Sequence, residues 1–328
     1  EESADEEEER RRREEERRTM VSHGDLEDLA PAFVLSTSQI IAEWIAGGPT
    51  FRGLCLKPEG VLFDSPSLQI GVKTQYSKAA GRVMFFYGNR APVPLKNFSI
   101  TLSPSTSLAF QLKPIKGILE AGEQAQQLLN FVCLQEFALP PELIVSFTLP
   151  SHQPGIPDQE IEHKLRLPIC LTKFVTPKQN VTAAQFIHLW KNSQGNDYVE
   201  RASLMGGEVG GGMGGAMVGM PFFEYSAVFK MILGKVFDVN EIKMIFKNCL
   251  HLDIVDGVDS TPSSVVAVGE CWTQSNPVCT PVFVRLQTRE EMQLFRMTVR
   301  GHTNDTAWGI GISLMAAIGE LETVQDQS

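Results

Sequence analysis

From Phe51 to about Thr172 the chain alternates apolar and polar positions in short runs, with Pro, Gly or Ser clusters between them. GVLF, SLQIGVKTQY, GRVMFFYGN, NFSITL, QQLLNFVCL, ELIVSFTL and HKLRLPICL are seven candidate strands rich in β-branched and aromatic residues. Leu68, Ile70 and Val72 fall on one face of the second run and Gln69 and Lys73 on the other, with Gly71 interrupting the polar side. Short strands at this density, with almost no helix-period segments among them, predict an immunoglobulin-like β-sandwich over residues 51–172.

After Lys173 the periodicity changes. Thr182 and Gln185 have the spacing of a capping box, in which each side chain satisfies a backbone N–H at the start of a helix, so a helix is predicted to begin near Ala183. Phe186, Leu189 and Trp190 recur at i, i+3 and i+4, with Ile187 beside them, and give that helix a broad apolar side. A glycine-rich stretch follows at about 203–221. Beyond it, FEYSAVFKMIL and EIKMIF form a mixed region, and SSVVAVGECW, TPVFVRL and QLFRMTVR read as strands. In LFRMTVR, alternation puts Phe295, Met297 and Val299 on one side and Leu294, Arg296, Thr298 and Arg300 on the other; in VFVRL, Arg285 shares a face with Phe283. The ten-residue spacer between Arg285 and Arg296 suits pairing of these two strands. DTAWGIGISLMAAIGELE is predicted as a final helix capped by Asp305 or Thr306. Residues 173–328 thus form a second, mixed subdomain, and the fold class is α+β.

The amino-terminal end adds a charge block, with ten acidic residues against six arginines in the first eighteen. Blocks of this kind repel and seldom pack, so residues 1–50 are expected to be a flexible linker or hinge, with LEDLA (26–30) as a bland stretch within it. The chain opens on Glu without an initiator Met or the apolar core of a signal peptide, and it reads as a fragment of something longer. A net charge of −10 and the lack of a long basic stripe argue against nucleic acid as a partner. No window of eighteen apolar residues suggests a transmembrane helix.

Catalytic signatures are missing: there is no nucleophile elbow, P-loop or His-Glu-x-x-His, and His188, His251 and His302 stand apart in sequence. The formal G-x-G-x-x-G from Gly210 to Gly215 lacks the strand before and helix after that a dinucleotide site needs, so an enzyme binding a nucleotide there is the weakest reading. The six cysteines show no C-x-x-C pair and no metal-ligand spacing with His; they read as reduced core residues, and neither metal nor cofactor is expected. Three N-x-[ST] sequons at Asn97, Asn180 and Asn304 keep open an alternative, a structural or extracellular β-sandwich protein with Trp190 in its core. Arginines on one face of a sheet are ordinarily just solvated; beside an aromatic helix they also suit an anion-tolerant platform.

In order along the chain, GVLF, LQIGVKTQYS, GRVMFFYGN, GEQAQQLLN, LPICLTKFVTP, FIHLWK, FVRL and LFRMTVR resemble the appendage (ear) domain of alpha-adaptin, the large subunit of the plasma-membrane clathrin adaptor complex. The resemblance spans roughly residues 54–300; the glycine-rich stretch lies outside the family pattern. It implies a non-enzymatic module with an immunoglobulin-like sandwich and a platform of antiparallel sheet flanked by helices. Its partners would be short motifs in disordered endocytic accessory proteins: Asp-Pro-Phe, Asp-Pro-Trp and Phe-x-Asp-x-Phe types on the platform, and Trp-x-x-Phe types on the sandwich. Clathrin would be reached through the hinge, the other adaptor subunits through upstream chain, and the membrane only indirectly, at cytoplasmic coated pits. Carried over residue by residue, the platform site is Phe186, Ile187 (in place of an aromatic), Trp190, Glu224 at the rim, Arg285, Arg296 and Arg300. The sandwich site is Phe86 and Gln124.

Overall fold

The computed structural model describes residues 36–151, 157–192, 222–230, 239–259, 264–276, 278–289 and 294–318. The expected glycine-rich insertion lies outside these residues. Two helices come first, α1 (Thr37–Ala46) and α2 (Gly48–Leu56). They shorten the expected linker: Ile40 and Trp44 fall four residues apart on one helical face, Pro49 sits in the first turn of α2, and Trp44 and Phe51 are fully buried. The charge block at the terminus masks this apolar pattern when the first fifty residues are read as one segment.

Nine strands follow: β1 (Glu59–Asp64), β2 (Leu68–Ser77), β3 (Ala80–Asn89), β4 (Leu95–Leu102), β5 (Leu108–Leu112), β6 (Ile118–Leu119), β7 (Gln124–Cys133), β8 (Glu142–Leu149) and β9 (Gln159–Arg166). They form two antiparallel sheets, β1-β2-β3-β7-β5 and β6-β4-β8-β9. Leu68, Ile70, Val72, Phe85 and Tyr87 from the first sheet and Leu95, Phe98, Val145 and Phe147 from the second are buried, and the Tyr87 and Phe98 rings meet edge to face at 5.4 Å. This is the expected sandwich. β5 and β6 have no counterpart among the seven candidate runs because they are short, five and two residues. HKLRLPICL is strand only to Arg166; Pro168 has no N–H for a ladder, and the chain passes instead into a 3-10 turn at Leu171–Phe174.

The remaining elements are β10 (Val175–Pro177), α3 (Ala183–Asn192), β11 (Phe223–Lys230), α4 (Val239–Met244), β12 (Asp253–Ile254), β13 (Val265–Cys271), β14 (Thr280–Arg289), β15 (Leu294–Gly301) and α5 (Asn304–Ile318). Their strands form a third antiparallel sheet, β10-β13-β14-β15-β11, with β12 on β13. Sandwich and third sheet are joined by main-chain bonds: Gln274 N–H donates to Cys133 O at 2.7 Å and Trp272 N–H to Phe174 O at 3.0 Å. Tyr76 Oη donates to Pro168 O, and Lys78 Nζ stands 4.4 Å from the centre of the Trp272 ring. The architecture is α+β, with antiparallel sheets throughout.

The third sheet is covered differently on its two faces. α5 packs on the side that carries Tyr225, Phe295, Met297 and Val299, all buried. Its cap is Thr303, two or three residues before the positions expected: Thr306 N–H donates to Thr303 Oγ1 at 3.0 Å, which places Asp305 and Thr306 inside the first turn. The helical glycines mark close approaches. A Cβ on Gly309 would lie 2.4 Å from Phe137 O, and one on Gly311 2.3 Å from Tyr225 Cδ1. Gly309→Ala is expected to destabilise the protein by about 1–3 kcal/mol, because backbone must shift and the strain outweighs the ~1 kcal/mol of helix propensity that Ala recovers. Urea unfolding measures this; a neutral or stabilising result would mean that α5 and the 137–138 segment are farther apart than described.

Candidate functional site

On the opposite face of the third sheet, α3 supplies the aromatic side chains. Its start is the expected capping box: Gln185 N–H donates to Thr182 Oγ1 at 3.3 Å, and Thr182 N–H donates to Gln185 Oε1 at 2.8 Å. That fixes the helical phase. Phe186 and Leu189 point down into a core with Val255, Val266, Val268 and Phe283, whereas Trp190 is half-buried and packs against that core from its edge. The Trp190 ring stacks on Phe186 at 5.5 Å and 20°. The indole therefore stands at the boundary between core and solvent.

The basic residues come from strands β14 and β15, which pair as the short spacer suggested. Phe283 faces Arg300, Arg285 faces Thr298 and Gln287 faces Arg296, and on the other side of β15 Glu224 faces Arg300. All of these lie on the α3 face of the sheet, since the alternate residues Phe295, Met297 and Val299 are buried under α5.

A concavity of about 270 Å³ is lined by Phe186, Ile187, Trp190, Lys191, Val258, Asp259 and Arg285. It is smaller than the ~300–1,000 Å³ typical of pockets for drug-sized ligands and cofactors, and suits a single inserted side chain. Four of the seven expected platform residues line it: Phe186, Ile187, Trp190 and Arg285. Three do not. Arg300 lies behind the indole, its guanidinium carbon 4.1 Å from the centre of the Trp190 ring, and donates from Nη1 to Trp190 O. Its Nε–H donates to Glu224 Oε2 at 2.8 Å. Glu224 is thus the counter-ion of Arg300 rather than a residue lining the concavity, because cross-strand register places the two side chains together. Arg296 sits farther along β15, opposite Gln287 and the exposed Val228; it has no carboxylate partner among the described residues.

Sequence reasoning did not anticipate the state of Arg285. Its Nε–H donates to Asp259 Oδ2 at 3.0 Å and its Nη2 to Asp259 Oδ1, a two-point ion pair, and Ser264 Oγ donates to the same carboxylate. Burial acts to raise the Asp259 pKa, but the hydrogen bonds from Arg285 and Ser264 together with the Arg285 charge outweigh it and hold it below the usual value. Arg285 and Asp259 lie 26 residues apart, and no motif links them. Lys191, the last-turn cation beside Trp190, was also passed over, although FIHLWK contains it.

The sandwich positions lie on the outward face of adjacent strands: Phe86 pairs with Gln126 and Gln124 with Gly88. Phe86 is 40% exposed, unusual for a ring in a strand centre. Glycines flank it, Gly71 across β2 and Gly88 two residues along β3, and a Cβ on Gly88 would meet nothing within 4 Å.

Among the described residues no group of three or more His, Cys, Asp or Glu is placed to hold a metal, and no helix is long and apolar enough to cross a membrane. The cysteines are free, four of them buried. Burial, with the Glu136 charge, pushes the Cys133 thiol to about 12; the Cys170 thiol is lowered to about 6, chiefly by a Cys55 hydrogen bond, but Cys170 is sealed in the core.

Residues 58–166 match the family described as the adaptin C-terminal domain. The chain is 27% identical over 254 residues to the AP-2 complex subunit alpha-2 of Dictyostelium discoideum, covering 77% of this chain and 22% of that protein. It is 25% identical over 225 residues to the AP-2 complex subunit alpha-1 of Arabidopsis thaliana, covering 69% of this chain and 19% of the other. The chain spans about a fifth of the length of these curated relatives. Among solved structures, the yeast GGA1 GAE domain is aligned over 33% of this chain and 97% of its own at 16% identity, with a TM-score of 0.28. A sandwich of the adaptin C-terminal type followed by an antiparallel sheet with a helix on each face defines the class, an adaptor appendage domain. Within that class, residues 58–166 carry the adaptin C-terminal domain, and over 69–77% of its length the chain is similar to alpha subunits of AP-2 complexes.

Proposed function

We propose that this appendage serves the large subunit of a clathrin adaptor complex of the AP-2 kind, gathering accessory proteins through short linear motifs at cytoplasmic coated pits. The two lobes, divided near residue 172, would each carry one peptide site. The observation that carries the reading is the half-buried Trp190, which forms one wall of a side-chain-sized concavity with Arg285 and Lys191 at its border. An apolar slot bordered by cations suits a Phe or Trp next to an acidic residue, as in Asp-Pro-Phe, Asp-Pro-Trp and Phe-x-Asp-x-Phe motifs. On the sandwich, the exposed Phe86 with Gln124 suits a Trp-x-x-Phe motif.

Burying one phenyl ring gives about 1.5–3 kcal/mol, much of it consumed by ordering the peptide, so a single motif is expected to bind weakly. Repeated motifs on one disordered partner, engaging both lobes, would supply useful affinity. Contacts with clathrin through the hinge and with other adaptor subunits through upstream chain belong to the same proposal. The test is calorimetric titration of residues 37–328 with an Asp-Pro-Phe-type peptide, a Trp-x-x-Phe-type peptide and their Phe→Ala versions. Micromolar or weaker binding that disappears with the ring is expected for both. Saturation of one site should leave the other open. Equal heats for the intact and Phe→Ala peptides would overturn the assignment of the corresponding lobe.

A further inference from the structure

The cations around Trp190 differ in what they already hold. Arg285 is bound at two points by Asp259, whose side chain is only 12% exposed and accepts from Ser264 as well. Were a motif carboxylate to take Arg285, Asp259 would be left charged, partly buried and short of its main partner; one carboxylate would merely be exchanged for another, with a desolvation cost added. Arg300 is likewise committed, held by Glu224, by Trp190 O and by the indole face. Arg296 has no carboxylate partner among the described residues but does not line the concavity. Lys191 does line it, is exposed, and has no acidic partner among the described residues.

We propose that Lys191 is the specificity-determining cation of this site, the group that receives the acidic residue of a bound motif, while the Arg285–Asp259 pair is a fixed part of the wall. The inference rests on the peptide-binding reading of the concavity and names what reads the motif's charge. An ammonium offers three freely rotating donors on a flexible stem and needs no set approach angle, so it tolerates an acidic residue at more than one distance from the anchored ring. Asp259 adds the opposite preference: a second acidic residue directed toward Arg285 meets a carboxylate already in place.

The experiment compares an Asp-Pro-Phe-type peptide with its Asn-Pro-Phe counterpart on the intact chain, Lys191→Gln and Asp259→Asn, at low and high salt. Lys191→Gln is expected to weaken the Asp peptide about fivefold at low salt, the upper range for an exposed ion pair, and to leave the Asn peptide unchanged. At high salt the difference shrinks. Asp259→Asn frees Arg285 and is expected to strengthen the Asp peptide. Equal affinity of the Asp peptide for intact chain and Lys191→Gln would overturn the inference and leave the site standing, with Arg285 as the reader. Equal loss of both peptides would also overturn it, since only the lysine stem would then matter. If neither peptide binds the intact chain, the reading of the concavity itself fails.

Discussion

Trp190→Ala is expected to weaken binding of an Asp-Pro-Phe-type peptide by at least about thirtyfold while leaving the domain folded. A central aromatic at a small interface commonly accounts for about 2 kcal/mol or more of binding free energy. Here the indole is the largest side chain lining the concavity, and its loss widens the slot to water. The stability side is smaller. Trp190 is half-buried, so its truncation forfeits the stacking on Phe186 and the cation contact with Arg300, each worth about 0.5–1.5 kcal/mol, without cutting a cavity into the core that Phe186 and Leu189 fill. The main-chain bond from Arg300 to Trp190 O is retained, as is the ion pair with Glu224. Trp190→Phe provides the control: a flat wall of smaller area should restore part of the affinity. A folded Trp190→Ala protein that binds as tightly as the parent would place the motif site elsewhere. A loss of 3–5 kcal/mol of stability would instead mark the indole as core, the position it holds in the extracellular-sandwich alternative.

Local rules carried the elements that build this site. The Thr182–Gln185 pair sets the helical phase of α3, and phase alone decides that Phe186 points down while Trp190 stands at the edge. Alternation in LFRMTVR separates Phe295, Met297 and Val299 from the arginines, and its pairing with VFVRL follows from the short spacer. What escaped is pairing across the fold. That Asp259 would occupy Arg285, and Glu224 Arg300, depends on which strands and loops become neighbours, and neither pair has a local signature. The expected cap of α5 falls two or three residues late, because Asp305, Thr306 and Thr303 all have suitable side chains and no local rule selects Thr303 among them. The glycines of α5 weakened it as a helix by propensity, yet they are what lets it approach Phe137 and Tyr225. At the amino end, composition dominated: eighteen charged and small residues obscured the helical spacing of Ile40 and Trp44 that follows.

That missed segment sets the largest expected effect on stability. Trp44→Ala should cost about 3–5 kcal/mol, the usual range for emptying a buried aromatic site. The indole is 1% exposed, its Nε1–H donates to Ala138 O at 3.0 Å, and its ring lies 5.3 Å from Phe51 on α2. Truncation therefore leaves a cavity and also strands a carbonyl, itself a penalty of about 1–3 kcal/mol within that total. The strain cannot be confined to α1. Ala138 adjoins the Phe137 carbonyl against which Gly309 of α5 is packed, α2 contacts α5 directly, and Glu43 of α1 pairs with Arg166 at the end of β9. One tryptophan thus links the amino-terminal helices, the β7–β8 connection of the sandwich and the last helix of the platform. Urea unfolding followed by far-ultraviolet dichroism should show a single transition moved to lower denaturant. Thermal melting should fall by roughly 10 °C, given about 2–4 °C per kcal/mol for a domain of this size. A change under 1 kcal/mol would mean that α1 is a detachable tail, and truncations starting at residue 48 would then fold as well as the parent. The same substitution should leave the affinity of the folded protein for an Asp-Pro-Phe-type peptide unaltered, because no residue of α1 lines the concavity beside Trp190.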